Sequence, residues 1–214
     1  EVNIREQRES NLCKMKIGIG LTTWGNRQTP ALEMIRKFTP DAKIVTVNQK
    51  GISKAKNMCL ALLDDCDYIF LYDSDCYPKV DNWFLPYINS NEPHLSYTFD
   101  RKILNQSNGL TEYELPCGCM LYINRKCLDV VGGFDTDFEG YGYEHVNYSQ
   151  RVYNAGLTSG KYLDVTGSDK LIHSMDKHRE IKSSVSQLER GQGIQANRQL
   201  FMKNRNSQEW KPYK

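Results

Sequence analysis

The chain has 214 residues, a quarter of them charged, and a formal net charge of +2. That length allows one domain with a sizeable core. The near balance of signs excludes a general nucleic-acid-binding surface, which needs a basic excess or stripe, and the supply of aliphatic and aromatic residues excludes a disordered chain.

Residues 1–14 are polar and charged and read as an N-terminal extension. Lys16 to Thr22 alternates apolar and small residues, as a strand does. Thr29-Pro30 then supplies a cap and a first helical position, and Ala31, Met34, Ile35 and Phe38 recur on one helical face. Lys43 to Val47 is a second predicted strand. Gly51 makes a turn, Ser53 is the expected cap of the next helix, and Ala55, Met58, Cys59 and Leu62 are its expected apolar face. Tyr68 to Tyr72 is a continuous apolar run, typical of a strand buried on both faces.

This β-α-β-α-β order implies parallel pairing through crossover helices. Ligands of such sheets bind beyond the carboxyl ends of the strands. Thr22-Thr23-Trp24, Asn48-Gln49 and Asp73-Ser74-Asp75 occupy those three ends.

In the second half, His94 to Phe99 and Gly118 to Ile123 are predicted strands, and Gly132-Gly133 is a turn. Glu144 to Ala155 is a predicted helix stopped by Gly156, and Lys161 to Val165 is another strand. Beyond Lys203 the chain reads as a polar tail, so the expected domain spans 15–202. The seven cysteines are irregularly spaced and form no C-x-x-C pair, which points to reduced thiols rather than a zinc ribbon or redox motif. No apolar run of about eighteen residues and no signal-peptide pattern occur, so the expectation is a cytoplasmic protein without a transmembrane helix.

Four constellations carry chemistry. Asp73-Ser74-Asp75 places two hard oxygen ligands at a strand end, suited to a cation that bridges phosphates. Taken alone, such a pair is as easily two solvated acids. Gly51 to Asn57 combines a turn with Lys54 and Lys56 at a helix start, where anions are favoured; an exposed basic helix face explains it equally well. From Gly132 to His145, glycines alternate with aromatics and end in Glu144-His145, either of which has the chemistry of a general base. His173 follows a late strand and offers an imidazole, which beside carboxylates suits manganese.

Gly51-x-Ser53-x-Ala55-Lys56-Asn57, Tyr68 to Asp75 and Arg125 to Phe134 together resemble GT-A glycosyltransferases of the family 2 kind. Gly140 to Glu144, followed by Arg151, Gly156 and His173, is similar to β-1,4-galactosyltransferases and polypeptide N-acetylgalactosaminyltransferases. The resemblance spans roughly residues 15 to 180. It implies an α/β fold: a single Rossmann-like nucleotide-diphospho-sugar transferase domain, with a mixed central sheet flanked by helices. It further implies transfer of a sugar, by inversion, from a nucleoside-diphosphate donor such as a UDP-sugar to a hydroxyl of a carbohydrate or other acceptor, with a nucleic acid conceivable only as acceptor.

By the same resemblance, Asp73, Asp75 and His173 would hold manganese or magnesium. Thr22, Thr23, Trp24, Arg27, Asn48, Lys56, Asn57, Asp73 and Ser74 would bind the donor. Gly118, Tyr141, Gly142, Tyr143 and Glu144 would face sugar and acceptor. The chain departs from the pattern at His145, where inverting members carry an aspartate base, and at Asn147, where an acid is common. His145 and Glu144 are therefore both candidates for the base, and a retaining mechanism stays open. Two other activities share the scaffold. Sugar nucleotidyl transfer needs a Gly-rich phosphate loop after the first strand, which Thr22 to Arg27 matches poorly. A non-catalytic binding module is compatible with the His145 departure.

Overall fold

The computed structural model describes residues 15–25, 27–182 and 186–214, so the N-terminal extension lies outside the described residues. The chain opens as β1 (Ile17–Thr23), α1 (Ala31–Phe38), β2 (Lys43–Asn48), α2 (Ile52–Leu62) and β3 (Tyr68–Asp73). β1 lies between β2 and β3 and runs parallel to both, with Thr23 opposite Asn48 and Thr22 opposite Asp73. The order read from periodicity is the order observed.

The next elements are β4 (Cys76–Pro78), α3 (Leu85–Ile88), β5 (His94–Ser96), β6 (Ile103–Ser107), β7 (Leu110–Tyr113) and β8 (Met120–Asn124). They are followed by α4 (Arg125–Val131), α5 (Glu144–Asn154), β9 (Leu163–Val165), β10 (Ile172–Ser174) and α6 (Gln187–Asn204). The central sheet has the order β2-β1-β3-β8-β5. β8 pairs antiparallel with β3 and with β5, so the sheet is mixed. β5 therefore points the same way as β3, and β8 starts where they end. One edge thus gathers the ends of β1, β2, β3 and β5 and the entry to β8. A β6-β7-β9 sheet and a β4-β10 pair flank it.

Side chains alternate across the sheet, as the pleat requires. Phe70 and Tyr72 join one core with α1, Trp83 and Tyr87. Ile69 and Leu71 join the other with α2, α4 and α5, through residues such as Cys59, Leu128 and Tyr148. Gly20 lets α2, and Gly18 the turn after it, lie close on β1: an added Cβ would sit 2.7 Å from Cys59 Cβ and 2.8 Å from Cys66 Sγ, respectively.

The structure corrects the expected rotation of α2. Its cap is Gly51, and Ser53 is buried inside the first turn with its hydroxyl donating to the Phe138 carbonyl. Met58 and Leu62, expected inward, are about half exposed, at 46% and 51%. The inward face carries Ser53, Lys56, Asn57 and Leu60 instead. Apolar spacing alone could not place a face whose buried groups are polar and answered by partners far along the chain.

The C-terminal residues are also more than a tail. α6 begins at a capping box between Ser186 and Glu189 and runs through Asn204. Lys211 then forms a parallel bridge to Gly132. Arg151, buried in α5, donates to the carbonyls of Val131 and Glu209, and Tyr213 and Lys214 reach Asp64. These residues are polar because they answer backbone groups and an acid. The six described cysteines are free thiols, and among the described residues no helix is long and apolar enough to cross a membrane.

Candidate active site

The gathered sheet edge carries a chain of charges. Lys56, the fifth residue of α2, is fully buried, and its ammonium faces inward under the ends of β3 and β8. Nζ donates to the Gly118 carbonyl at 3.1 Å and lies 3.4 Å from Glu144 Oε1 and 3.8 Å from Asp73 Oδ1. Burial alone would strip its proton; the two carboxylates reverse that and raise its pKa. Lys56 is thus an internal counter-ion, not the donor contact expected of it.

Glu144 opens α5 and is buried. Burial opposes its ionisation, but His145 and Lys56 override it and hold the carboxyl well below the usual range. His145 Nδ1 lies 3.1 Å from Glu144 Oε1. An ionised carboxylate only accepts, so Nδ1 is the donor in this contact and Nε2 points away from it. Gly118 closes the arrangement. A Cβ there would stand 2.6 Å from His145 Nδ1, so only glycine lets the strand entry lie on the imidazole.

Asp73 accepts from the Thr22 hydroxyl at 3.0 Å. Its burial outweighs the pull of Lys56, while the charges of Asp75 and Glu144 add, and its pKa rises to about 6. Asp75 is raised as well, chiefly by burial, against Arg27, whose guanidinium meets it at 3.0 Å. Ser74 is buried between them, its carbonyl held by Thr29 Oγ1. Thr23 is half-buried, Trp24 is 52% exposed, and Asn48 is exposed and donates to the Gly25 carbonyl. These groups lie at the ends of β1 and β2, beside the two aspartates.

Several of the expected site residues are engaged with other groups. Asn57 is one. Its amide donates to the Phe134 carbonyl at 2.9 Å and accepts from the Phe134 N–H at 2.7 Å, a clamp on the Gly133 turn. Tyr143 takes a left-handed backbone (φ 71°) to start α5 and turns its ring to Phe201 of α6. His173 is engaged with other groups next to the acidic turn. β10 sets it opposite Tyr77, on which its ring stacks, and Nε2 meets Glu180 at 3.1 Å. Among the described residues no three His, Cys, Asp or Glu side chains converge as a ready-made metal cage.

Tyr141 does stand among the acids. Burial raises its hydroxyl pKa, opposed by Arg190 and reinforced by Asp176, Asp73 and Glu144. Arg190 of α6 lies 4.5 Å from its ring centroid. Gly142 and the carbonyl of Glu139 are held by Asn197, whose amide donates to both. Sequence reasoning missed Asp176 and Arg190. Asp176 had a signal, since it ends the His173 segment and its charge acts on Asp75. Arg190 had none, because α6 shows no apolar stripe.

Among the described residues are hollows of about 310 and 200 Å³. The larger, lined by Met15, Asp67 and Arg125 among others, is at the opposite edge of the sheet. The smaller lies by the ends of β5 and β10. The aspartates line neither; the charge network, not cavity size, marks the site.

The fold and its edge define an α/β domain with a mixed central sheet flanked by helices. No protein-family profile matches the chain, and no curated protein sequence does. Among solved structures it is similar to A197 from STIV, at 15% identity over 55% of this chain and 69% of that one, with a TM-score of 0.43. It is similar to HddC from Yersinia pseudotuberculosis complexed with GMP-PN, at 9% identity, 61% and 81% coverage and a TM-score of 0.34. It is also similar to apo UDP-glucose pyrophosphorylase, at 8% identity, 92% and 85% coverage and a TM-score of 0.34. Likenesses this distant assign no activity.

Proposed function

We propose that this chain is a glycosyltransferase that moves a sugar, by inversion, from a UDP-sugar or related donor to an acceptor hydroxyl. The observation that carries the reading is the Glu144–His145 pair, joined through Lys56 to Asp73 at one sheet edge.

The residues divide the work by charge. Glu144, kept anionic by Lys56 and His145, orients the imidazole. Nε2 of His145 takes the acceptor proton as the hydroxyl attacks the anomeric carbon. The acceptor oxygen–carbon bond forms, the carbon–diphosphate bond breaks, and the electron pair leaves with the nucleoside diphosphate. Tyr141 borders the sugar. Thr22, Thr23, Asn48 and the exposed Trp24 ring form the nucleoside shelf.

A divalent cation is part of this reading. Two carboxylates at one turn, with phosphate oxygens completing the shell, suit magnesium or manganese; a three-residue protein cage is not required. Asp73 and Asp75 would hold it, and Arg27, paired with Asp75 here, would offer its charge to the diphosphate. Without His173 the imidazole argument for manganese over magnesium lapses. A bound cation supplies Lewis-acid stabilisation of the departing diphosphate.

The test is thermal melting with UDP-glucose, UDP-galactose and UDP-N-acetyl sugars, with and without manganese, paired with an assay for released UDP. Binding to the native state raises Tm. The expected result is a cation-dependent rise with at least one donor, and UDP release that His145→Ala suppresses. No rise and no release with any donor would sink the proposal; a rise without release would leave a binding module.

A further inference from the structure

We infer that the 200 Å³ hollow beside the site is the acceptor subsite and takes one neutral pyranose, an inference that rests on the proposed transfer reaction. Its lining includes two aromatic rings, Phe99 and Tyr113, and four charged side chains, Asp100, Arg101, Asp169 and Lys177. Aromatic faces stack on the C–H faces of a sugar ring, while carboxylates and cations bond its hydroxyls. Two charges of each sign favour a neutral sugar over an anionic one. A hollow of this size holds one monosaccharide and is too small for a nucleotide.

The hollow is built rather than incidental. Its floor is cross-braced by Asp164, which is fully buried. Asp164 accepts from the Thr98 N–H at 2.9 Å and the Ser168 hydroxyl at 2.6 Å, tying two of the lining residues together. Asp100 holds a left-handed backbone (φ 51°) in the same wall, a strained state for a non-glycine residue. Among the described residues, none of the four charged lining side chains is in an ion pair.

Its position suits an acceptor. The Phe99 carbonyl accepts from Cys117 Sγ at 3.4 Å, and the next residue, Gly118, lies on the His145 ring. On the other side, Lys177 follows Asp176, whose charge reaches Asp75. One lining residue, Phe99, thus leads through Cys117 towards the base, and another, Lys177, adjoins Asp176 on the side of the acidic turn.

The experiment is saturation-transfer NMR with methyl β-D-glucopyranoside and methyl β-D-galactopyranoside, on the full chain and on the Asp169→Ala and Phe99→Leu variants. Asp169 is exposed with no hydrogen bond among the described residues, so its variant folds normally. Donor-induced melting shifts are recorded in the same samples. The expected result is ring-proton saturation in the wild type that both variants lose, and an acceptor KM raised about tenfold in Asp169→Ala at unchanged donor KM. Absence of saturation, or equal saturation in all three proteins, alongside intact donor binding overturns the acceptor subsite alone. Saturation lost in the variants without any donor binding supports the pyranose site and overturns the transferase reading instead.

Discussion

Glu144 Oε1 lies 3.1 Å from His145 Nδ1 and 3.4 Å from Lys56 Nζ, so one carboxylate oxygen serves both a candidate base and a buried cation. The carboxylate is thereby kept ionised, which makes Glu144 a poor proton acceptor and a good orienting group. The base role falls to His145 by this division.

His145→Ala is expected to lower kcat by about a hundredfold or more, in the range of lost general-base catalysis. Glu144→Gln keeps the shape and loses the charge, and a smaller fall in kcat is expected. Measured kcat against pH for both variants checks this. A larger loss in Glu144→Gln, with the wild-type profile kept in His145→Ala, moves the base role to Glu144.

Asp75→Ala is expected to abolish transfer and any manganese-dependent rise in Tm, whereas His173→Ala keeps both. The His173 ring is held by Tyr77 and Glu180. Calorimetric titration with manganese and UDP reads the difference directly. Equal losses in the two variants would return His173 to the cation shell.

The pH dependence of cation binding follows from Asp73. Its folded pKa, about 6, lies above the ordinary carboxylate value. A raised acid favours the protonated fold, so its contribution to cation-free stability is present below about pH 4 and is lost as pH rises through about 6. A cation requires the ionised form, so the manganese-induced rise in Tm is expected to grow between about pH 5 and pH 7. Melting curves with and without manganese across that interval test the sign; a rise that shrinks towards neutrality contradicts it.

Lys56→Met is expected to destabilise the fold by about 3 kcal/mol, because it leaves a buried carboxylate without its cation. In a domain of this size that corresponds to a fall in Tm of roughly 10 °C. Asn57→Ala removes both hydrogen bonds to Phe134 and is expected to cost about 2 kcal/mol. Denaturant titrations quantify each. A neutral Lys56→Met would mean that Glu144 and Asp73 are adequately solvated without it.

The sequence by itself determined the first half of the fold and the identity of the charged groups. Apolar patterning is a local property, and the order of strands and helices from Ile17 to Asp73 is the one it predicts, although the buried face of α2 is not. Asp73, Asp75, Glu144 and His145 were legible because a strand end and a helix start are also local features. Only the tertiary structure decided which groups meet. Lys56 sits 88 residues from Glu144 in the chain, and the pairing exists because β8 and α5 pack on the buried face of α2. Tertiary contacts likewise sent Asn57 to the Gly133 turn and Tyr143 to Phe201, and the β4–β10 pairing set His173 on Tyr77. No local pattern encodes those partners, since a buried polar group is placed by whichever distant donor or acceptor satisfies it.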